Sequence, residues 1–494
     1  MISANLPALQ VVLPLLSAPL CVIVGRAGFA WLIALLVSWA AFAISLGLVW
    51  QVMTDGPISY AMGGWPPPWG IEYVIDAANA FILVVVSGIG AVVMLFAKAS
   101  VEREIGPGRR HLFYCAYILC LTGLLGITTT GDAFNVFVFL EISSLSTYAL
   151  IAMGRDRRAL TAAFQYLIMG TIGATFILIA IGLLYMMTGT LNIADLQQRL
   201  GDVAGTRPII AAAAFFTVGV ALKAAVFPLH LWLPNAYAYA PSMVSTFLAA
   251  TATKVSIYVL IRFSLGLFGK DLAFEGLQIS WVLLIASVLA MFVGSIVAIY
   301  QQDAKRMLAY SSVAQIGYIV IAVSIATSAS LTAAYMHIFN HALMKGALFL
   351  ALGCIFYRIG STRFADMAGL AKQMPWTAAA FVTGGLSLIG VPLTAGFISK
   401  WLLIQAVLED AELIWLAVAI LASSLLAIIY VWRAIECLYL RPAPEGRPAV
   451  QEAPLSLLLP TWLLALANVY FGLSATAPIE VARSAASGLL GGFW

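Results

Sequence analysis

Charge is scarce in this chain: Asp, Glu, Lys and Arg together make 9% of its 494 residues, against about 25% in soluble domains. With so little of it there is no dense Lys/Arg face to hold a nucleic-acid backbone, and a formal net charge of +4 identifies no partner by itself. Cysteine is equally sparse. Cys21, Cys115, Cys120, Cys354 and Cys437 are scattered without metal-ligand spacing and read as small core residues, so zinc and iron–sulfur roles lack ligands. A Walker loop, a dinucleotide-binding glycine loop, a nucleophile elbow and a haem ligand set are also missing. No cofactor and no metal is expected. The N-terminus has neither a basic n-region nor a small-residue cleavage site before its first apolar run, which is therefore expected to be a span rather than a removed signal.

What abounds is apolar sequence, at 63% of residues. Runs of about 17 to 25 apolar residues between turn or charge clusters predict an all-α polytopic membrane protein. Fourteen spans are expected, at 5–25, 28–50, 76–98, 111–130, 132–153, 161–188, 209–233, 241–262, 277–300, 308–328, 331–356, 376–408, 412–436 and 456–475. This count places 16 of the 25 basic residues in loops on one side, from Arg26 through Arg103, Arg155, Lys305 and Arg358 to Arg447. Arg199, Arg207, Arg262, Lys270 and Arg483 fall on the other. Basic loops stay in the cytoplasm, which puts both termini outside. Residues 51–73, with GGWPPPWG, read as a rigid external turn or hairpin, and 191–208 as a short amphipathic surface helix. Residues 441–454 read as a linker, and 479–494 as a weakly apolar tail lying on the membrane or against a neighbour.

The few charges inside apolar runs are the first functional candidates, because an ion at that depth costs several kcal/mol unless it faces a partner or a wet interior. Lys223 and Lys254 lie within Phe215 to Arg262, a stretch that Pro228, Pro234 and Pro241 interrupt. Each proline removes a backbone donor and ends or kinks a helix, and loose backbone at depth is tolerated only where it lines a cavity or is buried in protein. Glu141 lies nine residues beyond Asp132, about 13 Å along a helix. Such a carboxylate is a proton carrier or ion-pair switch, or else half of a static packing pair. Asp132 reads either as an N-cap or as a group guiding ions, and His230 stands beside the Pro228 break. His337, His341 and Lys345 share one helix stripe, suited to proton relay or to a satisfied polar core; a metal there lacks a third ligand. Lys400 follows Gly390 and Pro392 and reads as the far end of the route or as an interfacial snorkelling lysine. Asp303, Lys305 and Arg306 read either as topology charges or as charges with a specific structural role. Broken apolar runs at Lys223–Pro241 and Gly390–Lys400 point to the inverted repeats of a transporter.

Five segments carry a resemblance: GDAFNVFVFLEISSLSTYAL, LKAAVFPLHLWLPNAYAYAPSMVSTFLAATATKVSIYVLIR, DAKRMLAYSSVAQIGY, HIFNHALMKGALFLALG and GVPLTAGFISK. They resemble the antiporter-like proton-translocating membrane subunits shared by Mrp cation/proton antiporters, complex I and membrane-bound hydrogenases, over roughly residues 70–435. The nearest likeness is to the D subunit of the Mrp antiporter, while ISSLSTYAL is also similar to hydrogenase-associated relatives. The resemblance implies two inverted five-helix repeats with helices 7 and 12 broken. Residues 1–110 would hold helices 1–3, residues 111–262 the first repeat, 277–408 the second repeat continuing into helix 13, and 409–494 helices 13–14 and the tail. It further implies a Glu141–Lys223 pair, Lys254 as connector, a His337–His341–Lys345 track and Lys400 as terminal lysine of a hydrated axis. The expected function is proton translocation within a multisubunit Na+/proton antiporter of the cytoplasmic membrane, with other membrane subunits as partners; the alternative is the pump subunit of a complex I-like or hydrogenase-like redox complex. No redox centre is expected in this chain.

Overall fold

The computed structural model describes residues 3–491; Gly492 to Trp494, the end of the tail, lie outside them. The chain opens with α1 (Leu6–Val24) and α2 (Ala27–Asp55), then a hairpin of β1 (Ile58–Ala61) and β2 (Glu72–Ile75) paired antiparallel with Ile58 opposite Ile75. There follow α3 (Ala77–Glu104), α4 (Arg110–Thr129), α5 (Ala133–Ala152), α6 (Arg158–Thr188), the short α7 (Ile193–Val203), α8 (Arg207–Lys223), α9 (Leu233–Tyr239), α10 (Ser242–Ala250) and α11 (Ala252–Ile261). The second half is α12 (Ile279–Tyr300), α13 (Ala304–Ile325), α14 (Ser328–Ile359), α15 (Phe364–Met367), α16 (Pro375–Ile389), α17 (Ala395–Leu408), α18 (Ile414–Tyr439), α19 (Leu455–Leu473) and α20 (Thr476–Gly491). Side-chain caps set the starts. Asp76, Asp132, Asn192, Asp303 and Thr327 each accept the backbone N–H three residues on, satisfying a donor that the first helical turn leaves free.

Among the described residues twelve helical segments are long and apolar enough to cross a membrane. Two further spans are interrupted, α8 with α9 and α16 with α17, and complete the expected fourteen. The breaks sit where proline and glycine predict them: Ala225 has φ 55° ahead of Pro228, and Gly390 and Leu393 have φ 91° and 70° around Pro392. A third break is not signalled by any proline or glycine. The run expected as one helix over 241–262 parts between α10 and α11 at Thr251, whose φ of −126° and ψ of −57° leave the helical range.

The hub of the packing is α14. It lies against α3, α10, α13, α16, α17, α19 and α20, and is buried almost throughout. Close approach of α17 to α16 depends on Gly396, where a Cβ would collide with the Ser387 carbonyl. By contrast α1, α2 and α18 turn large apolar residues outward, among them Ile23, Trp50 and Leu425. The hairpin and the amphipathic α7 match the expectations for 51–73 and 191–208. The tail does not lie free: α20 packs on α3 and α14, so its apolar face is covered by its own chain.

Two charges counted among the loops are buried. Lys305 turns inward and is 3% exposed. Arg262, also 4% exposed, pairs with Asp76 at 2.6 Å and reaches Tyr258 Oη at 3.2 Å, so it ties α11 to the cap of α3. Removing one partner of a buried pair strands the other charge and costs about 3–5 kcal/mol. Arg262→Met is therefore expected to lower the thermal midpoint of the solubilised protein markedly, and Asp76→Asn/Arg262→Met to recover part of the loss; an unchanged midpoint for the single variant would show the pair to be idle.

Candidate functional site

The site grows from the broken helices. At the end of α8, Lys223 Nζ donates to Glu141 Oε1 at 3.3 Å and to Ser144 Oγ at 2.7 Å, both on α5. The pair is unequal: the Lys223 side chain is 3% exposed and the Glu141 side chain 27%. Lys223 thus depends on partners inside the protein, while Glu141 retains contact with the surroundings. Asp132 caps α5 through the Asn135 N–H at 2.7 Å and sits at its mouth rather than beside Lys223. His230, in the turn after the break, stacks near Phe227 and Tyr310, and its Nδ1 has no hydrogen-bond partner among the described residues.

Beyond Lys223 lies a cavity of ≈ 20 Å³ between α5 and α11, lined in part by the hydroxyls of Ser143, Ser144, Thr147 and Ser256. That is room for about one water, with polar groups to hold it. Lys254 lies on α11, two residues from the lining Ala252 and Ser256. Its ammonium folds back on the Ala249 carbonyl, a group that the Thr251 break withdraws from the helical ladder. Lys254 is therefore held by unwound backbone rather than by a carboxylate. Lys254 and Lys345 both lie within electrostatic reach of His341, whose two ring nitrogens have no hydrogen-bond partner among the described residues. A buried imidazole left so calls for water beside it.

The second half mirrors this chemistry with different partners. Lys345 Nζ donates to the Leu308 carbonyl at 2.8 Å and to Ser311 Oγ at 2.5 Å. One turn toward the start of α14, His341 stacks on His337 with ring centroids 6.0 Å apart. His337 is fully partnered, Nδ1 with Ser399 Oγ at 2.9 Å and Nε2 with Gln315 Oε1 at 3.0 Å. Lys400 stands one residue beyond Ser399. It donates to the Leu388 and Ile389 carbonyls at 3.1 and 2.8 Å and to Ser424 Oγ at 3.1 Å, over the Tyr318 ring. These carbonyls are the open end of α16, where helix dipoles favour a cation. At 5% exposure Lys400 is not snorkelling.

Of the nine candidates, Glu141 and Lys223 form one pair, and Lys254, Lys345, His341, His337 and Lys400 lie within electrostatic reach of one another as a second group. Asp132 and His230 contact neither group. Sequence reasoning missed Ser144, Ser311, Gln315, Ser399 and Ser424, the neutral side chains that hold the ionisable ones; such residues carry no signal until the helices are packed. Among the described residues no cluster of three His, Cys, Asp or Glu is placed to hold a metal.

Residues 130–427 match the family described as NADH:quinone oxidoreductase/Mrp antiporter, TM. NADH-quinone oxidoreductase subunit N of Desulforudis audaxviator is 40% identical over 486 residues, 95% of this chain and 96% of that one. The Na(+)/H(+) antiporter D subunit of Alkalihalophilus pseudofirmus is 33% identical over 377 residues, covering 76% and 75%. Among solved structures, a chain of the Mrp complex from Dietzia sp. superposes with a TM-score of 0.90 at 27% identity, covering 99% and 98%. A chain of the membrane-bound sulfane sulfur reductase, an archaeal respiratory membrane complex, gives 0.90 at 29% identity, covering 98% of each. The chain is a multi-pass membrane protein that belongs to the NADH:quinone oxidoreductase/Mrp antiporter membrane-subunit family.

Proposed function

We propose that this chain is the proton-translocating subunit of a multisubunit Na+/proton antiporter of the cytoplasmic membrane, with other membrane subunits as its partners. The observation that carries the reading is the 3.3 Å contact of Lys223 with Glu141, which we take as the head of a row of buried ionisable groups. Opening that contact leaves Lys223 with less reason to hold its proton, and closing it restores the reason, so the pair couples charge position to proton release. Lys254, Lys345, His341 and His337 pass the proton on through hydroxyls and water, and Lys400 ends the row. Residues 111–262, with breaks after α8 and at Thr251, and 277–408, with one break after α16, act as inverted repeats, and both termini face outward, as the basic loops suggest.

A second reading keeps the same proton residues but places the chain in a redox-driven complex. The 40% identity over 486 residues to an NADH-quinone oxidoreductase subunit favours it. Proteoliposomes holding the purified host complex separate the two. Sodium-driven proton movement without an electron donor, lost in Lys223→Ala, supports the antiporter; movement only with donor and acceptor supplied supports the redox pump. Within either, His337→Ala is expected to slow flux about tenfold and to alter its pH profile, since a positioned acid–base group is removed. An unchanged pH profile would reduce His337 to a packing residue.

A further inference from the structure

A second group of buried ionisable side chains lies outside this row, on the face that gathers the basic loops. A cavity of ≈ 370 Å³ opens there between the α5–α6 loop, the turn before α10, the start of α13 and the end of α14. Arg155 is exposed at its mouth, beside Asp156, whose carboxyl the Arg158 guanidinium holds below the usual carboxylate range. At its floor are Glu104 and Lys305, 7% and 3% exposed. Glu104 Oε1 accepts from Ser100 Oγ at 2.7 Å, and Oε2 from the Ser242 N–H at 2.9 Å and Ser242 Oγ at 3.3 Å. Lys305 Nζ donates to the same Ser242 Oγ and to the Ala240 carbonyl, both at 3.3 Å, over the Phe356 ring. One hydroxyl thus joins the acid to the base.

From that floor a polar face runs inward along α13. After Lys305 come the Leu308 carbonyl and Ser311, which hold Lys345, and then Gln315, which holds His337. Steps of three or four residues keep these groups on one side of the helix. Ten residues rise about 15 Å, half of a hydrocarbon core of about 30 Å. A static anchor joining the ends of α3, α10 and α13 would use the Glu104–Ser242–Lys305 contacts alone; it gives no reason for a solvent cavity above them or a polar face below.

We propose that this cavity is a proton-access vestibule, with Glu104, Ser242 and Lys305 as its floor and α13 as the conduit to Lys345 and His337, separate from the Glu141–Lys223 pair. Each proton that Lys305 passes inward is replaced from vestibule water, so the group returns to its starting charge. The inference rests on the proton-translocating reading above.

The test uses the intact host complex. Arg155→Cys places a thiol at the mouth, whereas the five native cysteines are buried or half-buried. The complex is labelled with a bulky membrane-impermeant methanethiosulfonate, then reconstituted. Unlabelled Arg155→Cys is expected to conduct like the parent, its labelled form about tenfold less, as blocking an access path requires, and the labelled parent unchanged. Lys305→Met is expected to assemble and to lose about tenfold in proton flux; should it fail to assemble, the labelling result decides. If Lys223→Ala is inactive while labelled Arg155→Cys, and Lys305→Met where assembled, conduct like the parent, the vestibule proposal falls and the general reading stands. If Lys223→Ala itself conducts like the parent, both fall.

Discussion

Lys223→Ala is expected to lower proton flux by at least about 100-fold, the scale on which positioned proton-transfer groups act, while the host complex still assembles. The assembly half of this result follows from the exposures. Removing Lys223 leaves Glu141, whose side chain is 27% exposed and can be hydrated in place. Ser144 loses one partner, and the small water-sized cavity beside it gains room for further water in place of the ammonium. Flux assayed in proteoliposomes, alongside a native gel of the complex, checks both halves. A variant that conducts within twofold of the parent would remove Lys223 from the route, and a missing band on the gel would make it a structural lysine.

Glu141→Gln is expected to lose flux to the same degree, about 100-fold, but to differ in stability. Here the group left behind is the lysine, 3% exposed, with the Ser144 hydroxyl and a neutral amide in place of a carboxylate. An uncompensated buried charge is costly, while a well-packed neutral pair is not. The thermal midpoint should therefore drop in Glu141→Gln and rise again in Glu141→Gln/Lys223→Met, with both remaining inactive. If the double variant is no more stable than the single one, the two groups are not coupled and the switch mechanism loses its basis.

Much of this arrangement is legible in the chain before it folds. A lysine or glutamate inside a run of apolar residues has few physical explanations, so Glu141, Lys223, Lys254, Lys345 and Lys400 announce themselves, and proline and glycine mark two of the three helix breaks. What stays hidden depends on distance through space. Thr251 breaks its helix without proline or glycine, because the Lys254 ammonium takes the Ala249 carbonyl that the break releases. Lys305 looks like any charge at a span's end; only the packing of α3 and α10 around it turns it inward. Arg262 has the same ambiguity, and its partner Asp76 lies on another helix far earlier in the chain.

The two broken helices anchor their lysines by unlike means. Lys223 faces a carboxylate on another helix, which a small shift of α5 can carry away. Lys400 faces the carbonyls of Leu388 and Ile389, fixed in the backbone of the helix that ends there. A counter-charge that moves and one that cannot are different devices. The first is a variable load and the second a constant bias, so a row of proton sites strung between them, as proposed above, would have a built-in direction: it would be driven from the Lys223 end, while the Lys400 end would answer with a fixed threshold.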